Sequence, residues 1–188
     1  MTYTIREYRT TDEPSWLRCR VLAFLHTAYY DDVWTAKPRL RRPGFELVTV
    51  DDDAVVGIVD VDVEGREATI DTVAVHPDHR RRGLGDAMLH RARELCRTIG
   101  VTTLEAWTRD DQATLNWYRR AGFDEDSHYL HVYANHYTSP SEPALAIDRP
   151  RSNLRPIQLF LHARLDDEPE LRQQFARVHT CRRFAQQL

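Results

Sequence analysis

Lysine is nearly missing from this chain. Lys37 is the only one, so arginine makes up the rest of the 26 Lys and Arg residues. Arginine suits flat, two-pronged contacts to phosphate, although a coding bias toward arginine is the simpler source of the set as a whole. Cysteine is scarce as well. Cys19, Cys96 and Cys181 are odd in number and far apart, which excludes both a disulfide framework and a cysteine metal spacing. No apolar run approaches a membrane span, and the first stretch lacks the basic start and apolar core of a secretory leader. The formal net charge is −3, which argues against a general nucleic-acid binder. These absences lead to an expectation of a cytoplasmic protein without nucleic-acid or membrane partners. The 188 residues, 41% of them hydrophobic, suit one domain with a substantial core, and the mean hydropathy of −0.59 is that of a soluble protein.

The most informative stretch that is present runs from Thr69 to Ile99. An alternating strand pattern, ATIDTVAVH, enters a basic turn, PDHRRRGLGD, and a long amphipathic segment, AMLHRARELCRTI, follows. Bare backbone amides at the start of a helix make an anion site. Gly83 and Gly85 remove side chains where a ligand must come close, and Arg80, Arg81 and Arg82 add positive charge beside them. A pyrophosphate fits this arrangement. The other phosphate motifs do not apply. No Gly-Lys-Ser/Thr follows, so there is no P-loop, and the third glycine of a dinucleotide fingerprint is missing after Gly83 and Gly85.

A second block lies downstream. After Gly100 comes the short strand pattern TTLEAW and then TRDDQATLNWYRRAGF. VAVHPDHRRRGLG followed by WYRRAGF resembles the GCN5-related N-acetyltransferase superfamily (GNAT) over about residues 3–135. Arg80, Gly83 and Gly85 match its R/Q-x-x-G-x-G/A turn, and Tyr118, Gly122 and Phe123 match its Tyr-x-x-x-Gly-Phe element. The resemblance implies an acetyl-CoA-dependent N-acetyltransferase, with acetyl-CoA as co-substrate and no metal. The acceptor would be a small-molecule amine or a protein amino group. The alternative it leaves open is a non-catalytic acyl-CoA-binding sensor or scaffold of the same fold.

The periodicity places strands over residues 3–8, 45–50, 54–63, 67–75, 103–107, 128–133 and 156–165. Helices are expected from an Asp12 cap to about Thr27, with Leu17, Val21, Phe24 and Ala28 on the inner face, and from Leu84 with Met88, Ala92, Leu95 and Ile99 inward. A third runs from about Gln112 to Ala121, capped by Asp110 or Asp111 and ended by Gly122. Residues 29–44 read as a short helix plus loop. Residues 134–156, with Pro140, Pro143, Pro150 and Pro156, read as a long irregular connection. The expected fold class is α/β (α+β): a mixed, mostly antiparallel sheet flanked by helices, with a C-terminal helical extension and, as the resemblance implies, a splayed parallel strand pair. The resemblance implies an acetyltransferase domain over residues 1–166. Residues 167–188 form a C-terminal helix, with Leu171, Phe175 and Val178 inward, packed on that domain or forming a homodimer contact.

Acyl transfer to an amine requires a held donor, a base, an oxyanion donor and an acid for the leaving thiolate. The resemblance assigns donor binding to the backbone of Val73, Ala74 and Val75 and to the turn Arg80, Arg81, Arg82, Gly83, Leu84, Gly85 and Asp86. It assigns the acid to Tyr118. Asp71 and Glu105 are the base candidates, Asp71 because its spacing puts it on the face of Val73 and Val75, where burial would raise its pKa. A water relay is the third option. Asp111 stands where the family usually has an Asn that touches pantetheine. Aspartate caps a helix equally well but donates no amide hydrogen bond. Tyr29, Tyr30, Asp31, Asp32 and Trp34 fall in the loop that borders the acceptor cleft in that family, and aromatics with carboxylates suit a cationic amine. His76 and His79 flank the basic turn. His128, His131 and His136 are close in sequence but do not have metal-ligand spacing.

Overall fold

Strand alternation and helical spacing put most elements where the sequence places them. The computed structural model describes residues 3–147 and 153–188, and Pro150 lies outside them. Contacts divide the chain into two compact units: Met1–Trp107 with Asp111–Glu125 and Phe184–Leu188, and Thr108–Asp110 with Asp126–Arg183.

The first unit begins with β1 (Thr4–Glu7) and α1 (Glu13–Phe24). Strands β2 (Gly44–Asp51), β3 (Ala54–Glu64) and β4 (Glu67–Val75) follow as an antiparallel meander, and β1 adds antiparallel to β2. Helix α2 (Leu84–Thr98) crosses over to β5 (Thr103–Thr108), which pairs parallel to β4. Helix α3 (Gln112–Arg120) ends at Gly122, whose φ of +82° is the left-handed stop that glycine makes cheap. Later come β6 (Asp124–Asn135), the short α4 (Glu142–Leu145), β7 (Gln158–Ala163), α5 (Glu168–Gln174) and β8 (Arg177–Gln187). Strand order in the first unit is β1-β2-β3-β4-β5, with the end of β8 next to β5, and in the second it is β8-β6-β7.

Helices cover both faces of the first unit's strands. On one face, Leu47, Val59, Val61, Ala68 and Ile70 pack with Met88, Leu89, Ala92 and Cys96 of α2 and with Leu115 and Tyr118 of α3. On the other, Val48, Val50, Val55, Ile58 and Ala74 pack with Trp16, Cys19 and Ala23 of α1. Each fully buried side chain of this kind contributes roughly 1.5–3 kcal/mol. The buried face of α1 is therefore Trp16, Cys19, Arg20 and Ala23; of the expected set, Leu17 and Phe24 pack half-buried at its margin, and Val21 and Ala28 are not part of that core. The large Trp16 ring sets the rotation of the helix. Ile99 is likewise exposed, lying just past the last turn of α2.

Asp12 occupies the position before α1 but does not cap it. Its carboxylate takes two hydrogen bonds from the Arg6 guanidinium, at 2.7 and 2.8 Å, and one from the Arg9 N–H at 2.8 Å. The segment 25–43 contains turns and no helix. Within 134–156, α4 interrupts the expected irregular connection. Its Glu142 is buried and accepts hydrogen bonds from the N–H groups of Asn135 and Ala176.

The expected helix over 167–188 is the main correction. Only Glu168–Gln174 is helical, and 177–187 is a strand. Val178 and Thr180 alternate with half-buried Arg177 and His179, and two β-branched residues on one face suit a pleated surface. In the second unit, Phe175 and Val178 pack with Leu130, Val132 and Ala134 of β6.

Candidate functional site

The central feature lies on β4. Its ladder with β3 pairs Ile70 with Val61 and Thr72 with Asp60, so Asp71 is an extra residue, a β-bulge. The bulge shifts the alternation. Before it, Ala68 and Ile70 face α2; after it, Val73 and Val75 pack toward that core while Ala74 turns to α1. Pairing with β5 ends at the same place, with Ile70 opposite Ala106, and no further β4–β5 pairing occurs among the described residues. The strands continue to Val75 and Thr108. The backbone of Val73, Ala74 and Val75 is therefore held by β3 on one side and not by β5 on the other, which leaves a strand edge that a ligand can join.

The strand then enters the basic turn. A single 3-10 turn, Pro77–His79, is followed by Arg81 at φ +59° and Gly83 at φ +76°, and α2 starts at Leu84. Two left-handed residues in so short a stretch redirect the chain so that the first amides of α2 point out of the turn, without intrahelical partners. A Cβ built on Gly83 would meet nothing within 4 Å, so the space before these amides is open.

The three arginines differ. Arg80 donates to the carbonyls of Val75 at 3.2 Å and Ala23 at 2.7 Å, so its side chain braces the turn. Arg82 donates to the Tyr3 hydroxyl at 2.6 Å and the Asp78 carbonyl at 3.0 Å. Arg81 is exposed and has no partner among the described residues. His76 accepts from the Asp78 N–H, and His79 pairs with the Tyr3 hydroxyl at 3.2 Å, so both support the turn. Asp86, in the first turn of α2, accepts from the Trp117 indole at 2.7 Å and ties α3 to the same site.

Tyr118 is buried in α3 between Phe123, Phe184 and Trp117. Burial pushes its phenol above the usual value, and the nearby Tyr29 adds to this. The phenol stays protonated at neutral pH, as an acid must. Asp111 caps α3, its carboxylate accepting from the N–H and the hydroxyl of Thr114.

The base candidates stand differently from their sequence reading. Asp71 is exposed and not buried as its spacing implied, and the bulge breaks the spacing that would put it on the Val73–Val75 face. Its carboxylate accepts from the Thr72 hydroxyl at 3.3 Å. Glu105 is half-buried and accepts from the Thr69 hydroxyl at 3.0 Å.

Among the acceptor-loop residues, Tyr29 packs on Phe24, with ring centroids 5.5 Å apart. Tyr30 is 54% exposed, and Asp31 is exposed as well. Asp32 is bound by the buried Arg20 guanidinium at 2.7 Å. Trp34 stacks on Trp16 at 6.1 Å, with Arg20 3.4 Å above its ring. Asp32 and Trp34 therefore fasten the segment down.

Sequence reasoning missed a cage beside these residues. The ammonium of Lys37 is bonded to Glu46 and lies 3.1 Å from Asp60 Oδ2. It sits 5.0 Å from the Tyr8 ring and 4.7 Å from the Trp16 ring. Asp60 is 2% exposed, and its Oδ1 is buried without a partner among the described residues, as is the indole N–H of Trp16. Burial raises the Asp60 pKa to about 6 against the opposing pull of Lys37. The signal available in the sequence was an aspartate inside the apolar run AVVGIVDVDV, together with the chain's single lysine.

The second unit holds a separate polar cluster. Arg109 donates from Nε to His131 at 3.2 Å and from a terminal nitrogen to the Tyr133 hydroxyl. Burial, and then the Arg109 charge, lower the His131 pKa to about 4. Among the described residues, no group of His, Cys, Asp or Glu could hold a metal ion, and no helix is long and apolar enough to cross a membrane.

The profile of the acetyltransferase (GNAT) family matches residues 3–123. An uncharacterized N-acetyltransferase, MJ1207 of Methanocaldococcus jannaschii, is 30% identical over 142 residues, covering 66% of this chain and 62% of its own. The chain thus spans under two thirds of that relative's length. Among solved structures, the ribosomal-protein-S18-alanine N-acetyltransferase of Escherichia coli has a TM-score of 0.61 at 19% identity, over 99% of this chain and 94% of its own. The PaiA N-acetyltransferase of Thermoplasma acidophilum, solved with coenzyme A, has a TM-score of 0.58 at 11% identity, over 67% and 92%. Both show the same fold.

Proposed function

The chain belongs to the acetyltransferase (GNAT) family, and from that premise we propose that it transfers an acetyl group from acetyl-CoA to a primary amine by direct attack in a ternary complex. One observation carries this reading: β4 leaves β5 at the Asp71 bulge and runs, edge open, into a turn whose left-handed residues aim free amides outward.

The open edge from Val73 to Val75 receives the pantetheine arm as an added strand. The amides from Gly83 to Asp86 and the Arg81 guanidinium hold the diphosphate. A β4 N–H donates to the thioester carbonyl as negative charge builds on its oxygen. Tyr118 protonates the departing sulfur. Asp111 contributes to the pantetheine channel only through the helix start that it caps. Glu105, Asp71 or a water between them takes the proton from the incoming amine.

The test is a thiol-release assay with acetyl-CoA over a panel of alkylamines, polyamines, amino acids, amino sugars and peptides, beside a calorimetric titration with coenzyme A. Thiol release that depends on one acceptor class supports the reading. Absence of coenzyme A binding overturns it. Tight binding without transfer to any amine would point to the sensor alternative.

A further inference from the structure

The second unit carries a sheet face that acetyl transfer as derived above leaves unused. Across β6 and β7, His131 stands opposite His162 and Tyr133 opposite Phe160. Opposed residues share one side of a sheet, so these rings form a two-by-two array. His131 and His162 stack with centroids 5.1 Å apart and planes 9° from parallel, and Tyr133 and Phe160 lie 4.8 Å apart at 30°. Tyr129 extends the array, 4.6 Å from His162 and 5.0 Å from His131. A single exposed apolar ring needs no explanation. Here Phe160, 53% exposed, and the exposed His162 are held flat by their neighbours on the last strand of the sheet order.

Basic groups stand beside the β6 rings. The Arg177 guanidinium lies 3.9 Å from the Tyr133 centroid, and Arg109 donates to His131 Nδ1 at 3.2 Å. With Nδ1 accepting, the neutral His131 ring carries its proton on Nε2, 3.0 Å from the Tyr129 hydroxyl. The central ring of the array is thus fixed in orientation and uncharged. Besides burial, the groups that disfavour its protonation are Arg109, His162, His179 and Arg177, all of them basic. Asp110 does not cancel this surplus, because its carboxylate is paired with His179 at 2.9 Å and lies 3.7 Å from Arg172. The histidines do not converge on a metal position among the described residues.

We propose that this face is a binding site for a small aromatic carboxylate, whose ring stacks on Phe160 and His162 and whose acid pairs with the Arg177 guanidinium. Flat rings open to solvent take a planar ligand ring, and a guanidinium fork matches a carboxylate. The spacing suits both contacts at once. Arg177 lies on β8 and Phe160 on β7, with β6 between them. Two strand spacings come to about 10 Å, a span that a phenyl ring with a two-carbon acid tail bridges. A cationic ligand would meet Arg109 and Arg177 and is the poorer fit. A nucleic-acid strand fits less well with the net charge of −3. The site lies within the second unit, and the inference does not rest on the acetyl-CoA reading.

The experiment titrates the full chain with 3-phenylpropionate and follows the histidine ring signals by NMR. Propionate, which lacks the ring, and phenethylamine, which replaces the acid with a cation, run beside it. The expected result is a saturable shift of the His131 and His162 signals, with 3-phenylpropionate binding at least about tenfold more tightly than either comparator. Phe160→Ala and Arg177→Gln should each weaken it at least about fivefold. Tyr137→Ala, which removes an exposed ring outside the array, should leave it unchanged. If Arg177→Gln does not fold, Phe160→Ala decides, since its side chain is exposed. No saturable shift up to about 10 mM overturns the inference. So does phenethylamine binding as tightly as the acid, or an affinity that Phe160→Ala does not change. Phenylalanine, which adds a primary amine to the same ring and acid, separates the two sources of such a ligand. Thiol release from acetyl-CoA with phenylalanine makes the ligand the acceptor, whereas binding of the acid without that release makes it an effector; both keep the site.

Discussion

Tyr118 and Phe184 stack with ring centroids 5.2 Å apart and planes 13° from parallel. Phe184 comes from β8, so the last strand of the chain forms one wall around the candidate acid. Loss of the hydroxyl in Tyr118→Phe keeps this packing and removes the proton. Thiol release is expected to fall on the order of 10²-fold, with a thermal midpoint close to wild type. Full activity in the variant would remove Tyr118 from the acid role.

Phe184 also marks where the sequence stopped being legible. The alternation of β3 and β4, the spacing of α2 and the Gly122 stop are local signals, and they were readable because each element's own residues determine it. The segment 177–187 carries five charged or amide side chains among its apolar ones, and its strand form depends on partners that one sequence does not display. The bulge at Asp71 failed to appear for the same reason. It exists only in the register between β3 and β4, and a single unseen residue reversed the facing inferred for Asp71. The turn 80–86 was legible because glycine and arginine there act through backbone and charge, whereas the Lys37 cage joins four separate elements and has no spacing to read.

Arg81 combines a left-handed backbone with a guanidinium that has no partner among the described residues. Glycine at this position removes the charge and relieves the conformation together. Arg81→Gly is expected to gain roughly 0.5–1 kcal/mol in chemical denaturation, the strain of about 1–2 kcal/mol being partly offset by glycine's freer unfolded chain. The same variant should bind coenzyme A several-fold more weakly by calorimetry, with the deficit shrinking as salt is raised. A stabilised variant with unchanged affinity would take Arg81 out of the phosphate site.

His131 is held neutral by burial and by the Arg109 guanidinium, with a pKa lowered to about 4 from the ordinary 6.5. Between these values the unfolded chain binds more protons than the native one, so stability rises with pH across the window and is lost as pH falls toward 4. His131→Asn keeps an acceptor for Arg109 and does not titrate. Its stability should depend less on pH over this range, by on the order of 2 kcal/mol. Identical slopes in urea titrations of the two proteins would mean that His131 does not titrate in this way.

Asp60 produces the opposite slope. Burial raises its pKa to about 6 from 3.8, so the native chain binds more protons than the unfolded one between these values. The wild type therefore loses stability as pH rises from about 4 to 6, and the loss is complete above that window. Lys37 limits the loss by opposing the shift. In Lys37→Met the carboxylates of Asp60 and Glu46 face each other without a cation, and removing one partner of a buried pair costs about 3–5 kcal/mol. Protonation offers a way out, because the Asp60 pKa rises further once its counter-charge is gone. The penalty of Lys37→Met should thus be largest near pH 8 and markedly smaller near pH 5, read as the difference in denaturation midpoint from wild type at each pH. A penalty independent of pH would show that the cage holds together by packing of the lysine stem against Trp16 and Tyr8, with charge playing no part.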